Sequence, residues 1–290
     1  MQNRLTGFII NQISVKLNET KQLIITKYKG FKFMPYVKNN GVKIHYHTRG
    51  QGPSIVLLHG FMGDIGSWEK LGYPDTLAAK YNVIIVDARG HGKSDKPYDP
   101  IAYLDKTIAT DVIAVLDDMK IDKSHYFGFS MGGRVGFELA AYHPDRFLSF
   151  ILGAQTPGSR NEHGNESDRK RIALFEKGPE ALKRVMARSK KEYESYLEPT
   201  LNGDLRAYTA KTRANAMRED ISGHLVGLTV PCLVYAGESD SLAHESAKEH
   251  AARMPTAQFV SLPALNHMES IARTDMVLPM VTSFLQEVSA

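Results

Sequence analysis

Ser130 stands between Gly128 and Gly132 in the run HYFGFSMGGRVGF (125–137), with apolar residues leading in and following on. A serine hydroxyl is a weak nucleophile until a neighbouring base takes its proton, and that base needs a third group to fix its tautomer and stabilise the imidazolium that forms. Acyl chemistry at Ser130 therefore requires a histidine and a carboxylate. GESD (237–240) offers Glu238 and Asp240, and LNH (265–267) offers His267. The negative charge that develops on an attacked carbonyl also needs two N–H groups aimed at it. One is the backbone N–H of Met131, directly after the nucleophile; the other comes most naturally from Phe61 in HGFMG (59–63), where Gly60 and Gly63 let the loop fold close.

These residues do chemistry only if the fold brings them together, and the chain between them has the pattern to do so. VKIHYHT (42–48) alternates like an edge strand, whereas SIVLLHG (54–60), NVIIVDA (82–88), SHYFGF (124–129), FLSFILGA (147–154) and TVPCLVYAG (229–237) are continuous apolar runs. Such runs suit parallel strands buried on both faces. AQFVSLP (257–263) is the last strand, and helical patterns at about 68–80, 103–119, 131–143 and 276–288 alternate with the strands. The expected fold class is α/β: a mostly parallel sheet flanked by helices. Ser130, Asp240 and His267 then fall beyond the carboxyl ends of their strands, the edge where open α/β sheets bind ligands. A strained serine on a strand-to-helix turn needs glycines two residues to either side, where strand and helix approach closely. The pattern alone arises by chance in roughly one sequence in ten of this length, so its flanking strand and helix carry the reading.

From Gly158 to Gly227 the alternation stops. The segment is rich in Lys, Arg and Glu and contains no convincing strand, and we expect a helical cap over 158–227 inserted into a core of 34–157 and 228–290. Residues 1–33 carry six basic side chains against Glu19 alone, leaving the remainder of the +4 chain close to neutral. Met34 opens a run that reads as a start, so 1–33 is expected to be a dispensable basic extension. No stretch reaches the roughly 18 apolar residues of a spanning helix, and the single Cys232 fits a reducing compartment, so a cytoplasmic protein with no stable membrane anchor and no nucleic-acid partner is expected. No cluster of His, Asp and Glu has metal-ligand spacing, and no Gly-rich loop has a phosphate-cradling pattern; no metal or cofactor is called for. Cys232 reads as a small buried apolar residue.

Five motifs in order, HGFMG, DARGHGKSDKP (87–97), GFSMGG (128–133), GESD and NH (266–267), resemble those of the α/β-hydrolase fold superfamily, and the resemblance covers about residues 40–288. It implies the α/β-hydrolase fold with an inserted helical cap, Ser130 as nucleophile, His267 as base and Asp240 as its partner, with Phe61 and Met131 as oxyanion donors. Asp240 is preferred to Glu238 because it completes the family's Gly-x-x-Asp turn. His45, His47, His125 and His143 read as structural, His59 and His91 as loop-shaping, and Asp87 and Arg89 as structural or pocket-rim residues. Trp68, Phe129, Leu242 and Met268 are candidate substrate-binding residues. Relatives that open epoxides or remove halogen carry Asp at the elbow, so Ser130 implies acyl transfer to water, and a carboxylic ester of a small or medium acyl group is the expected substrate. The alternatives are a carbon–carbon bond hydrolase of dienoic ring-fission products, whose carboxylate Arg184, Arg188, Lys190 or Lys191 would hold, a lactonase or perhydrolase, and a receptor-like protein that binds without turnover.

Overall fold

The computed structural model describes residues 35–188 and 193–289; the basic extension 1–33, with Lys190 and Lys191, lies outside the described residues. Eight strands, β1 (Tyr36–Asn39), β2 (Val42–Arg49), β3 (Ser54–Leu58), β4 (Asn82–Val86), β5 (Ser124–Phe129), β6 (Phe147–Gly153), β7 (Cys232–Gly237) and β8 (Ala257–Leu262), form one sheet in the order β1-β2-β4-β3-β5-β6-β7-β8. The β1–β2 and β2–β4 pairs are antiparallel and the rest parallel. The expected edge strand at 42–48 is thus second from the edge. β1 lies outside it, joined through Asn40 and Gly41, both at positive φ (48° and 84°), the two-residue turn that Asn-Gly favours in hairpins.

The apolar runs are continuous because alternate residues serve two cores. Val56, Leu58, Ile84 and Val86 join one buried cluster with Val112 and Leu116 of α3 (Asp105–Asp118) and Val135 and Leu139 of α4 (Met131–Tyr142). Ile55, Leu57, Val83 and Ile85 join the opposite cluster, with Trp68 of α1 (Ile65–Lys70), Tyr73 of α2 (Tyr73–Leu77) and Val277, Val281 and Phe284 of the closing helix. The expected single helix over 68–80 is two, divided at Gly72, whose φ of 74° no continuing helix residue adopts. Cys232 is buried in the first of these clusters.

Between β6 and β7 the described residues hold helices and no strand: α5 (Glu162–Glu176), α6 (Pro179–Met186), α7 (Glu194–Asn202) and α8 (Leu205–Ala214), then short turns to Leu225. This segment packs on the loop after β3. Phe175, Leu182 and Tyr208 cluster with Phe61 and Met62, and the Tyr196 hydroxyl accepts the Gly60 N–H at 3.1 Å. Helices α9 (His244–Ala251), α10 (Glu269–Ala272) and α11 (Thr274–Glu287) complete the chain. Among the described residues no helix is long and apolar enough to cross a membrane.

Candidate active site

The turn from β5 into α4 holds Ser130 at φ 53° and ψ −109°, a conformation that L-residues occupy only when their surroundings impose it. The surroundings are specific. The Ser130 N–H donates to the Gly153 carbonyl at 2.8 Å, and the Gly132 N–H donates to the His59 carbonyl at 3.2 Å. A Cβ on Gly128 would stand 2.2 Å from the Gly132 carbonyl oxygen, and one on Gly132 would stand 2.0 Å from that of Leu58. Both glycines are needed because backbone already occupies the space.

The carboxyl ends of β7 and β8 bring the other two groups to this turn. His267 Nε2 lies 2.9 Å from Ser130 Oγ, and its Nδ1 lies 2.6 Å from Asp240 Oδ2. A carboxylate can only accept, so Nδ1 carries the proton and Nε2 is free to accept from the serine. The Asp240 side chain is 1% exposed and His267 31%; the second oxygen of Asp240 accepts the Leu242 N–H at 3.1 Å. Glu238 does not reach His267. It is exposed, and its carboxylate accepts the Ala264 N–H instead, bracing the loop after β8.

Phe61 and Met131 flank Ser130 in the wall of a cavity of about 290 Å³. Among the described residues neither backbone N–H meets an acceptor, and that of Met131 opens α4, where the helix dipole favours negative charge. Phe129, Leu242, His267 and Met268 line the same cavity, with the Phe129 ring 5.3 Å from that of His267. Trp68 does not. At 2% exposure it packs in the core against Tyr73 and Phe127, on the face of α1 turned toward the sheet.

The remaining histidines and the 87–97 loop build the scaffold. His59 donates from Nδ1 to the Gly60 carbonyl and accepts the Ala88 N–H at Nε2; burial pushes its pKa down, keeping it neutral. His91, likewise pushed well down by burial, donates to the Arg89 carbonyl. Asp87 takes His45 and the N–H groups of Ile65 and Lys93. Burial opposes its ionisation, but these donors, His45 first, hold its carboxyl below the usual range. Arg89 forms a two-pronged pair with Asp111 at 2.7 and 2.6 Å. His125 is buried against Ser149.

Arg184 and Arg188, the basic residues singled out in the sequence, are exposed and absent from the cavity wall. Four others take that place: Arg160, Arg171, Lys211 and Arg218. Nothing in a segment dense with Lys and Arg marks which of them face inward, since Lys211 and Arg218 pair with Asp105, far away in the chain. Among the described residues no three His, Cys, Asp or Glu side chains converge as metal ligands.

Comparison with known proteins agrees with this architecture. The family model for the alpha/beta hydrolase fold matches residues 53–214. Over 223 residues, 72% of this chain and 80% of the relative, the chain is 29% identical to 3-oxoadipate enol-lactonase 2 of Acinetobacter baylyi. It is also 29% identical, over 81% of this chain and 64% of the relative, to the dihydrolipoyllysine-residue acetyltransferase component of the acetoin cleaving system of Pseudomonas putida. The crystal structure of the enol-lactonase from Burkholderia xenovorans aligns with a TM-score of 0.76 and 28% identity, covering 87% of this chain and 100% of that one. The chain spans less than two thirds of the length of the first curated relatives it matches, 42%, 36% and 64%.

Proposed function

We propose that this chain, which belongs to the α/β-hydrolase fold family, is a serine hydrolase that cleaves carboxylic esters of small or medium acyl groups through an acyl-enzyme. The observation that carries the reading is the unbroken hydrogen-bond line from Ser130 Oγ through His267 to the buried Asp240, beside two backbone N–H groups that meet no acceptor among the described residues and flank a cavity of about 290 Å³. Two enol-lactonases among the relatives support it, since an enol-lactone is a cyclic ester.

In this mechanism Ser130 Oγ attacks the acyl carbon as His267 Nε2 takes its proton. Asp240 keeps Nδ1 protonated and stabilises the imidazolium. The Phe61 and Met131 N–H groups receive the oxyanion of the tetrahedral intermediate. His267 returns the proton to the leaving alkoxide, and the alcohol departs with rupture of the carbon–oxygen bond. Water, deprotonated by His267, then attacks the acyl-serine, and collapse of the second tetrahedral intermediate frees the acid and restores the Ser130 hydroxyl. A panel of p-nitrophenyl esters from acetate to long chains, run beside a coloured dienoic ring-fission product, tests the reaction class. Turnover of short or medium esters is expected; bleaching of the dienoate with no ester turnover would replace ester hydrolysis by carbon–carbon cleavage.

A further inference from the structure

The cavity wall opposite in character to its apolar part is strongly cationic. Arg160, Arg171, Lys211 and Arg218 line the same cavity as Ser130 and His267, and Arg134 lies behind them with its side chain fully buried. Among the described residues, three carboxylates lie within ion-pair distance of these five cations. Asp105 is shared by Arg134, Lys211 and Arg218 at 3.2, 3.3 and 3.0 Å. Asp168 is shared by Arg160 and Arg171 at 2.9 and 2.8 Å, and Glu138 meets Arg134 alone at 2.9 Å. Asn215 ties the two groups together, donating to Asp168 and accepting from Lys211.

The cluster therefore holds two more positive charges than negative ones. Lys211 and Arg218 are not solvated surface cations, their side chains being 3% and 5% exposed, while those of Arg160 and Arg171 are 17% and 29% exposed. Buried charge is costly unless paired, and the surplus faces the cavity. Donors remain to use it. Among the described residues, the Arg218 side chain donates only through Nε, to Asp105, and the Arg171 side chain only through Nη1, to Asp168, which leaves guanidinium N–H groups of the kind that grip a carboxylate by two hydrogen bonds.

We infer that the substrate carries a carboxylate of its own, remote from the scissile acyl group and held by Arg171, Lys211 and Arg218. The inference rests on the ester-hydrolase reading and narrows it to half-esters or lactones of dicarboxylic acids. Holding a charged tail at one end fixes where the acyl carbon stands relative to Ser130, so recognition acts as positioning.

Two measurements test it. In the first, p-nitrophenyl hemiadipate and p-nitrophenyl hexanoate, which share a six-carbon acyl chain, are compared as substrates. We expect kcat/KM to favour the hemiadipate at least tenfold, the ratio to fall with added NaCl, and the ratio to drop at least fivefold, mainly through KM, in Arg171→Gln and Arg218→Gln. Equal or faster hydrolysis of the hexanoate by the wild type overturns the inference and leaves the ester reading standing. In the second, the Ser130→Ala chain is titrated calorimetrically with adipate, hexanamide and inorganic phosphate. Adipate should bind, hexanamide should not, and Arg171→Gln should weaken adipate at least tenfold. Absence of adipate binding, or phosphate binding more tightly than adipate, overturns the carboxylate site; adipate binding without turnover of either ester removes the ester reading alone. The wild-type salt dependence and ligand ranking decide the question even if Arg218→Gln fails to fold.

Discussion

Ser130 at φ 53° is a residue held where it would not otherwise rest, at a cost on the order of 1–3 kcal/mol, and the hydrogen bonds around it explain why the strain persists. That serine was legible because glycine is demanded at fixed offsets by backbone crowding. Asp240 was legible by its turn, and its burial distinguishes it from the exposed Glu238. Trp68 was misread because its helix has two faces and the sequence does not say which one meets the sheet. The buried histidines make a prediction at this scale. Burial lowers the His125 pKa to about 4, while an unfolded chain takes up its proton near 6.5. Between those values the unfolded state binds more protons, so stability falls as pH falls, by up to about 1.4 kcal/mol per pH unit from this residue. Urea unfolding at pH 7 and pH 5 should show the wild type losing more stability than His125→Gln; equal losses would mean that His125 takes up its proton as readily in the folded chain as in the unfolded one.

At the scale of elements, the β5 turn depends on how closely α4 approaches β3 and β5. The strands could be read because both of their faces are buried, a pattern that survives without knowledge of the partners. β1 was missed although Asn40-Gly41 announces a hairpin, because its four residues YVKN alternate between exposed and half-buried and offer no apolar run. The turn gives a prediction through Gly132, whose added Cβ would meet the Leu58 carbonyl oxygen, a backbone atom that cannot swing aside. Gly132→Ala should lower stability by about 2 kcal/mol or more and disable Ser130 with it, seen as a drop in melting temperature and in ester turnover. An unchanged melting temperature would show that strand and helix are less tightly joined than described.

For the molecule as a whole, the α/β core and the order of its site residues follow from patterns that act locally: buried strands, a glycine-flanked serine, an acid turn and a histidine after the last strand. The inner wall of the segment between β6 and β7 did not follow. Its helices are dense with Lys, Arg and Glu on every side, and only their packing over the β3 loop turns Arg171, Lys211 and Arg218 inward while leaving Arg184 and Arg188 outside. Core and helical segment together thus line one cavity whose wall holds Ser130 and His267 as well as the cations Arg171, Lys211 and Arg218. The claim that unites them is that Ser130 performs the reaction. The most direct measurement is steady-state hydrolysis of the best p-nitrophenyl ester by the wild type and by Ser130→Ala, with both confirmed folded by circular dichroism. Loss of about three orders of magnitude or more in kcat, leaving only the residual contribution of binding and oxyanion donors, is the expected result; a Ser130→Ala chain that turns over the ester at the wild-type rate would contradict the account.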